Sequence, residues 1–226
     1  MGLILNLETA TKTCSVTLAL DGVELSKQEA KTENFSHSEN LNPFIEKVMA
    51  LSDYKLSDLN AIAVGKGPGS YTGLRIGVST AKGLCYGLDI PLIAIDSLES
   101  LANLYHAEKK QMICPMFDAR RMEVYSAIYS NDLKVVQTVD ANVIDEHSFK
   151  EILNQNEVVF IGPGAEKCMP AIQHANAIFK LDIEVSASGM NTLSNLKFQN
   201  NEFEDLAYFE PFYLKDFIAG KPKQLL

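Results

Sequence analysis

One order of elements runs through this 226-residue chain twice, and that duplication limits the folds open to it more than any single motif does. In the first half Leu3–Leu7 is a short apolar run, Thr13–Leu20 is rich in β-branched residues, and Asp21-Gly22 turns the chain into a third strand, Val23–Ala30. Ser36–Leu51 then carries Leu41, Phe44, Ile45 and Val48 at helical spacing, with Pro43 asking for the helix proper to begin near it rather than run through it. A segment around Leu56–Leu59 leads to an apolar strand, Ala61–Val64, a turn at Gly67-Pro68-Gly69-Ser70 and a long helix. After a strand at Pro91–Ile95 and a helix capped by Asp96, with Glu99 at the capping-box position, the pattern begins again.

The second half has strands at Met112–Phe117, Glu123–Tyr129 and Leu133–Val139, a helix at Glu146–Leu153, a strand at Val158–Ile161, the turn Gly162-Pro163-Gly164-Ala165 and a helix expected from Ala165 to Ala175. An acid follows or ends the first strand of each half, Glu8 in one and Asp118 in the other. Three antiparallel strands followed by strand and helix alternation describe a mixed sheet. The expected fold class is therefore α/β, with two duplicated lobes of mixed sheet flanked by helices, 1–108 and 109–226, and a ligand cleft between them. Asn191–Asn201 reads as loop or a weakly formed helix. The aromatics of Leu206–Phe217 read as closing a core, with the final segment packing back on the first lobe, and the tail Ala219–Leu226 reads as solvated.

The turn before the long helix matches no nucleotide fingerprint: Lys66 is followed by Gly67 where a Walker loop needs Ser or Thr, and Ser70 and Thr72 stand where a dinucleotide motif would need glycine. In the helix itself Gly73, Gly77 and Ala81 fall on one face at intervals of four, while Leu74, Ile76, Val78, Leu84 and Cys85 spread apolar surface round the rest. A helix so apolar is covered on more than one side. One cover is its own sheet, and the other is a second helix of this chain or of a partner.

Composition excludes several classes. A net charge of −9 argues against a chain that grips nucleic acid by itself. Cys14, Cys85, Cys114 and Cys168 are scattered without a CxxC pair, which fits a reducing cytoplasm. The apolar runs reach neither signal-peptide form nor membrane-spanning length. His37, His106, His147 and His174 stand apart on polar stretches, without the i, i+4 pairing of a helix-borne metal site, and read as surface residues. Glu8 and Asp118 admit two readings: acids that face each other and organise Mg²⁺ with nucleotide phosphates, or turn acids left by a duplication. Thr9 and Thr11 offer hydroxyls beside Glu8, but neither acid has a glycine next to it. Arg120 and Arg121, with Lys66 and Arg75, form either a cationic group for an anion or ordinary surface charge.

The stretches NLETATKTCSVTL, GKGPGSYTGLRIGVSTAKGL, IDSLESLA, FDARRMEVYSAIY and EPFYLKD, in this order, resemble the TsaB (YeaZ) family over about nine tenths of the chain. The resemblance implies the ribonuclease H-like lobes of the actin, Hsp70 and sugar kinase superfamily. It also implies a dimerisation and activating subunit of the bacterial machinery that places threonylcarbamoyl on the tRNA adenosine next to the anticodon. Its partner would be the TsaD transferase, with a small TsaE ATPase in the larger complex, tRNA met only through that complex, and homodimers when the partner is absent. TsaD-type sequences carry two metal-binding histidines in an HLEGH stretch; here the run is Ser97-Leu98-Glu99-Ser100-Leu101, so both ligand positions are lost. The implied role is non-catalytic, with no cofactor of its own and a nucleotide at most at the complex interface. The implied partner surface is formed by helices Ser36–Leu51 and Thr72–Leu88, with Leu41, Ile45, Val48, Gly73, Leu74, Gly77, Val78 and Ala81. Glu8, Thr9, Thr11, Gly67, Gly69 and Asp118 would be relics of a nucleotide site. The alternative is a nucleotide-dependent phosphotransferase of the same superfamily.

Overall fold

The computed structural model describes residues 1–31 and 37–215. The first lobe is a five-stranded mixed sheet in the order β3-β2-β1-β4-β5. Its strands are β1 (Leu3–Glu8), β2 (Thr13–Leu20), β3 (Val23–Lys31), β4 (Ala61–Gly67) and β5 (Leu92–Asp96). β1 is antiparallel to β2 and parallel to β4, and β2 is antiparallel to β3 across the expected turn at Asp21-Gly22. The second lobe repeats the arrangement as β10-β9-β6-β7-β8. Here the strands are β6 (Gln111–Asp118), β7 (Glu123–Ser130), β8 (Val135–Val143), β9 (Glu157–Ile161) and β10 (Ala177–Lys180).

Two helices, α1 (His37–Ala50) and α2 (Tyr71–Leu88), cover one face of the first sheet. α1 runs through Pro43 rather than starting at it. Pro43 is exposed, and the opposite face buries Leu41, Phe44, Ile45, Val48 and Met49, a gain that outweighs one missing backbone hydrogen bond. Ser36, the expected start of this helix, lies outside the described residues. Ser70 caps α2, its hydroxyl accepting from the Gly73 N–H at 3.2 Å, and Asp89 ends the helix in left-handed conformation.

On the other face lies chain from the far end of the sequence. α5 (Asn191–Gln199) and the single helical turn before it pack Ala187 and Met190 against Ile4, Ala61, Ala63, Ile93 and Ile95. The Asn-rich stretch is thus an ordered helix, anchored at its first residue, Asn191, which is buried and hydrogen-bonded. Asn191 accepts from the Thr17 hydroxyl at 2.7 Å and from the Asn6 amide at 3.0 Å, and Ser186 donates to Glu29 at 2.7 Å. α3 (Ser97–Ala102), capped by Asp96 as expected, packs Leu98, Leu101 and Ala102 onto the second sheet beside Ile113, Phe117 and Val159.

The second lobe holds less helix than the repeat predicts. The segment before α4 (Lys150–Leu153) is tied into turns in which Asp145 accepts from the His147 N–H and the Ser148 hydroxyl, so the helix is four residues long. After the second GPG turn only Glu166–Cys168 forms a helical turn. Pro170 supplies no N–H to extend it, and the chain drops into β10, a short strand the sequence reading missed.

Beyond α5 the expected aromatic core does not form. Residues 204–215 run as a strap along α2, with Phe209 half-buried against the first core while Tyr208 and Phe212 are exposed. The Lys82 ammonium donates to the Ala207 and Phe209 carbonyls, both at 3.1 Å, and the Phe212 N–H donates to the Lys66 carbonyl at 2.8 Å. At its end Lys215 pairs with Glu123 of the second lobe. Phe217 and the tail lie outside the described residues.

Candidate functional site

Glu8, Thr9, Thr11, Gly67 and Gly69 come together where β1 and β4 end, and each is engaged within the protein. The Glu8 carboxylate is fully buried and accepts from the Ala10 N–H at 2.7 Å and the Ser97 hydroxyl at 2.9 Å. Gly65 lies so close that a methyl group there would collide with the carboxylate. Burial pushes the Glu8 carboxyl above its ordinary range; hydrogen bonds from Ala10, Ser97 and Thr9 pull it back in part, and Asp96 nearby adds to the rise. The Thr9 hydroxyl donates to the Gly73 carbonyl at 2.9 Å, and Thr11 accepts from the Thr13 N–H at 3.2 Å. Gly67, at φ +104°, lets the Phe212 carbonyl of the strap approach, and Gly69 backs onto the Ala10 backbone. Ser97 and Ser100 both occupy buried positions. Among the described residues no group of three or more His, Cys, Asp or Glu is placed to hold a metal ion.

Asp118 sits in different surroundings, exposed at the end of β6. It accepts from the Arg120 N–H at 2.8 Å and pairs with Lys167. Partial burial alone would raise its carboxyl; the bonds from Lys167 and Arg120, with the charges of Lys167 and Lys12, more than offset this and hold it below its ordinary value. One acid is sealed inside the first lobe, and the other is neutralised on the surface of the second.

The eight apolar and small residues expected at a partner surface are in the core of this chain, which corrects that expectation. Leu41, Ile45, Val48, Gly73, Leu74, Gly77, Val78 and Ala81 are all buried. Helical spacing had marked the inward face: Val48, Val78 and Ala81 pack on Leu5, Leu7 and Val64, and Leu74 reaches Ala10, Leu98 and Phe117 at the lobe junction. The small-residue stripe has an internal reason too, because a side chain at Gly73 would strike the Thr9 carbonyl and one at Gly77 its hydroxyl. His37, expected at the surface, is buried, with Nε2 2.7 Å from the Thr11 carbonyl, and burial depresses its pKa.

The solvent side of the same two helices is a shallow groove of about 540 Å³ lined by residues such as Ser38, Asn42, Thr72, Arg75, Ile76 and Ser79. Further along α2, Gly83 and Gly87 face open space, and Tyr86 is 84% exposed. Neither glycine has a positive φ or an internal neighbour to explain it. The more conspicuous GxxxG pair of the sequence, Gly73 and Gly77, faces inward instead.

A duplicated pair of five-stranded mixed sheets with this topology defines a two-lobed α/β protein. The family model described as "TsaD: tRNA N6-adenosine threonylcarbamoyltransferase" matches residues 31–226. The chain is 30% identical to the tRNA threonylcarbamoyladenosine biosynthesis protein TsaB of Escherichia coli K12, over 96% of each chain. It is 36% identical to TsaB of Bacillus subtilis 168 over 70% of each. YeaZ from Pseudomonas aeruginosa superimposes with a TM-score of 0.80 at 24% identity, covering 95% of this chain and all of that one. The chain belongs to the TsaB (YeaZ) family. Among the described residues no helix is long and apolar enough to cross a membrane.

Proposed function

We propose that this chain is a non-catalytic subunit in the synthesis of threonylcarbamoyladenosine in tRNA, and that it docks a TsaD-type transferase on the solvent side of α1 and α2. Family membership supports the pathway, and the sealing of Glu8 with the pairing of Asp118 supports the absence of its own reaction centre. The observation that carries the docking face is the pair Gly83 and Gly87. Gly83, inside α2, costs about 0.5–1 kcal/mol of helix stability relative to alanine, Gly87 at its last turn costs less, and a side chain at either would meet nothing inside the molecule, so a closely approaching partner is the physical reason to keep them. The same face can pair two copies of the chain when the transferase is absent, and a TsaE-type ATPase and any nucleotide join only the assembled complex.

Gly83 separates this reading from a purely structural one. Gly83→Ala raises the stability of the isolated chain by about 0.5–1 kcal/mol, whereas Gly83→Leu keeps the fold but abolishes co-elution with the transferase subunit. Undiminished co-elution of Gly83→Leu removes the docking face. ATP turnover by the isolated chain that survives removal of every partner favours the phosphotransferase alternative instead.

A further inference from the structure

The β6–β7 turn is built at a cost that the fold does not require. Arg120 and Arg121 stand in succession at φ +72° and +49°, a region where side-chain-bearing residues are strained by about 1–2 kcal/mol and where glycine or asparagine is the undemanding choice. The turn is nevertheless held firmly. Asp118 accepts from the Arg120 N–H, and the Lys167 ammonium pairs with Asp118 and donates to the Arg121 carbonyl at 2.8 Å and the Glu123 carbonyl at 2.7 Å. Both arginines are exposed, and among the described residues neither guanidinium has an ion pair. The two neighbouring acids are already taken, Asp118 by Lys167 and Glu123 by Lys215. Lys12, exposed on the β1–β2 turn of the other lobe, is near enough for its charge to act on Asp118.

We infer that Lys12, Arg120 and Arg121 form a phosphate-contacting surface for the RNA backbone, presented by the two hairpin turns where the lobes meet. This rests on the chain working beside tRNA and goes beyond the docking of its protein partner. Guanidinium groups suit phosphate because their planar fork donates two parallel hydrogen bonds. A turn locked by Lys167 presents them without a large ordering cost. A few such contacts on a chain of net charge −9 hold RNA only weakly by themselves, measurable at low salt, and add to contacts made by the rest of a complex.

The test uses the complex of this chain with a TsaD-type subunit and a tRNA transcript, with affinity measured by fluorescence anisotropy between 50 and 200 mM KCl. Arg120→Asn with Arg121→Asn keeps residues that tolerate the left-handed turn and removes both charges. Its plot of log affinity against log salt is shallower by about 1.5, so over that range the wild type loses about eightfold more affinity than the variant. Arg120→Lys with Arg121→Lys retains the steeper slope. An unchanged slope in the asparagine variant, or a loss of affinity equal at every salt concentration, overturns the inference. Co-elution is measured first, so that failure to assemble counts against the docking face alone; the same titration on the isolated chain then still judges the arginines.

Discussion

The Ser97 hydroxyl donates to the Glu8 carboxylate across 2.9 Å, joining the end of β1 to the first residue of α3 deep inside the protein. Glu8 is thereby a buried, hydrogen-bonded carboxyl, and its protonation is tied to the stability of the fold.

That tie has a sign. The folded carboxyl is raised above its ordinary value near 4.5, so the folded state holds the proton more tightly than the unfolded chain. Stability from this group is full below pH 4.5 and falls as pH rises through the folded value, after which it is flat. Glu8→Gln keeps a neutral side chain able to accept from Ala10 and to donate to Ser97. It should match the wild type at pH 4 and be the more stable of the two at pH 8, as read from urea unfolding across that range. Equal stabilities at both pH values would show that Glu8 ionises in the folded chain without penalty.

Burial of the inward face of α2 makes a second expectation. Val78 is 4% exposed, and a side chain at Gly77 meets Thr9. Val78→Glu places a carboxylate among Leu5, Val64 and Ala81 and should cost about 3 kcal/mol or more, while Gly77→Leu forces β1 and α2 apart. Both should lower the midpoint of the thermal melt by circular dichroism. A wild-type melt combined with lost partner binding would place this face on the outside after all.

The strap carries a third. Lys82→Met removes both bonds to the Ala207 and Phe209 carbonyls while preserving most of the stem. These contacts are partly exposed, so the loss is about 1 kcal/mol. Residues 204–215 should then be cleaved about fivefold faster in limited proteolysis. Unaltered cleavage would mean that the packing of Phe209, the Phe212–Lys66 hydrogen bond and the Lys215–Glu123 pair hold the strap without Lys82.

The strand runs, the hairpin turn at Asp21-Gly22, the caps at Ser70 and Asp96 and the duplication itself were legible in the sequence, because each depends on neighbours within a few residues. So did the inward faces of α1 and α2, since helical spacing shows which residues share a side. What lies against that side is decided only when distant segments meet. The stripe Gly73, Gly77 and Ala81 has the same letters whether it receives a partner helix or the Thr9 backbone, and only the parallel pairing of β1 with β4 brings Thr9 there. In the same way α5 is anchored at Asn191, for which Thr17 and Asn6 supply partners, and the apolar strap was left at the surface because the first sheet was already covered on both faces.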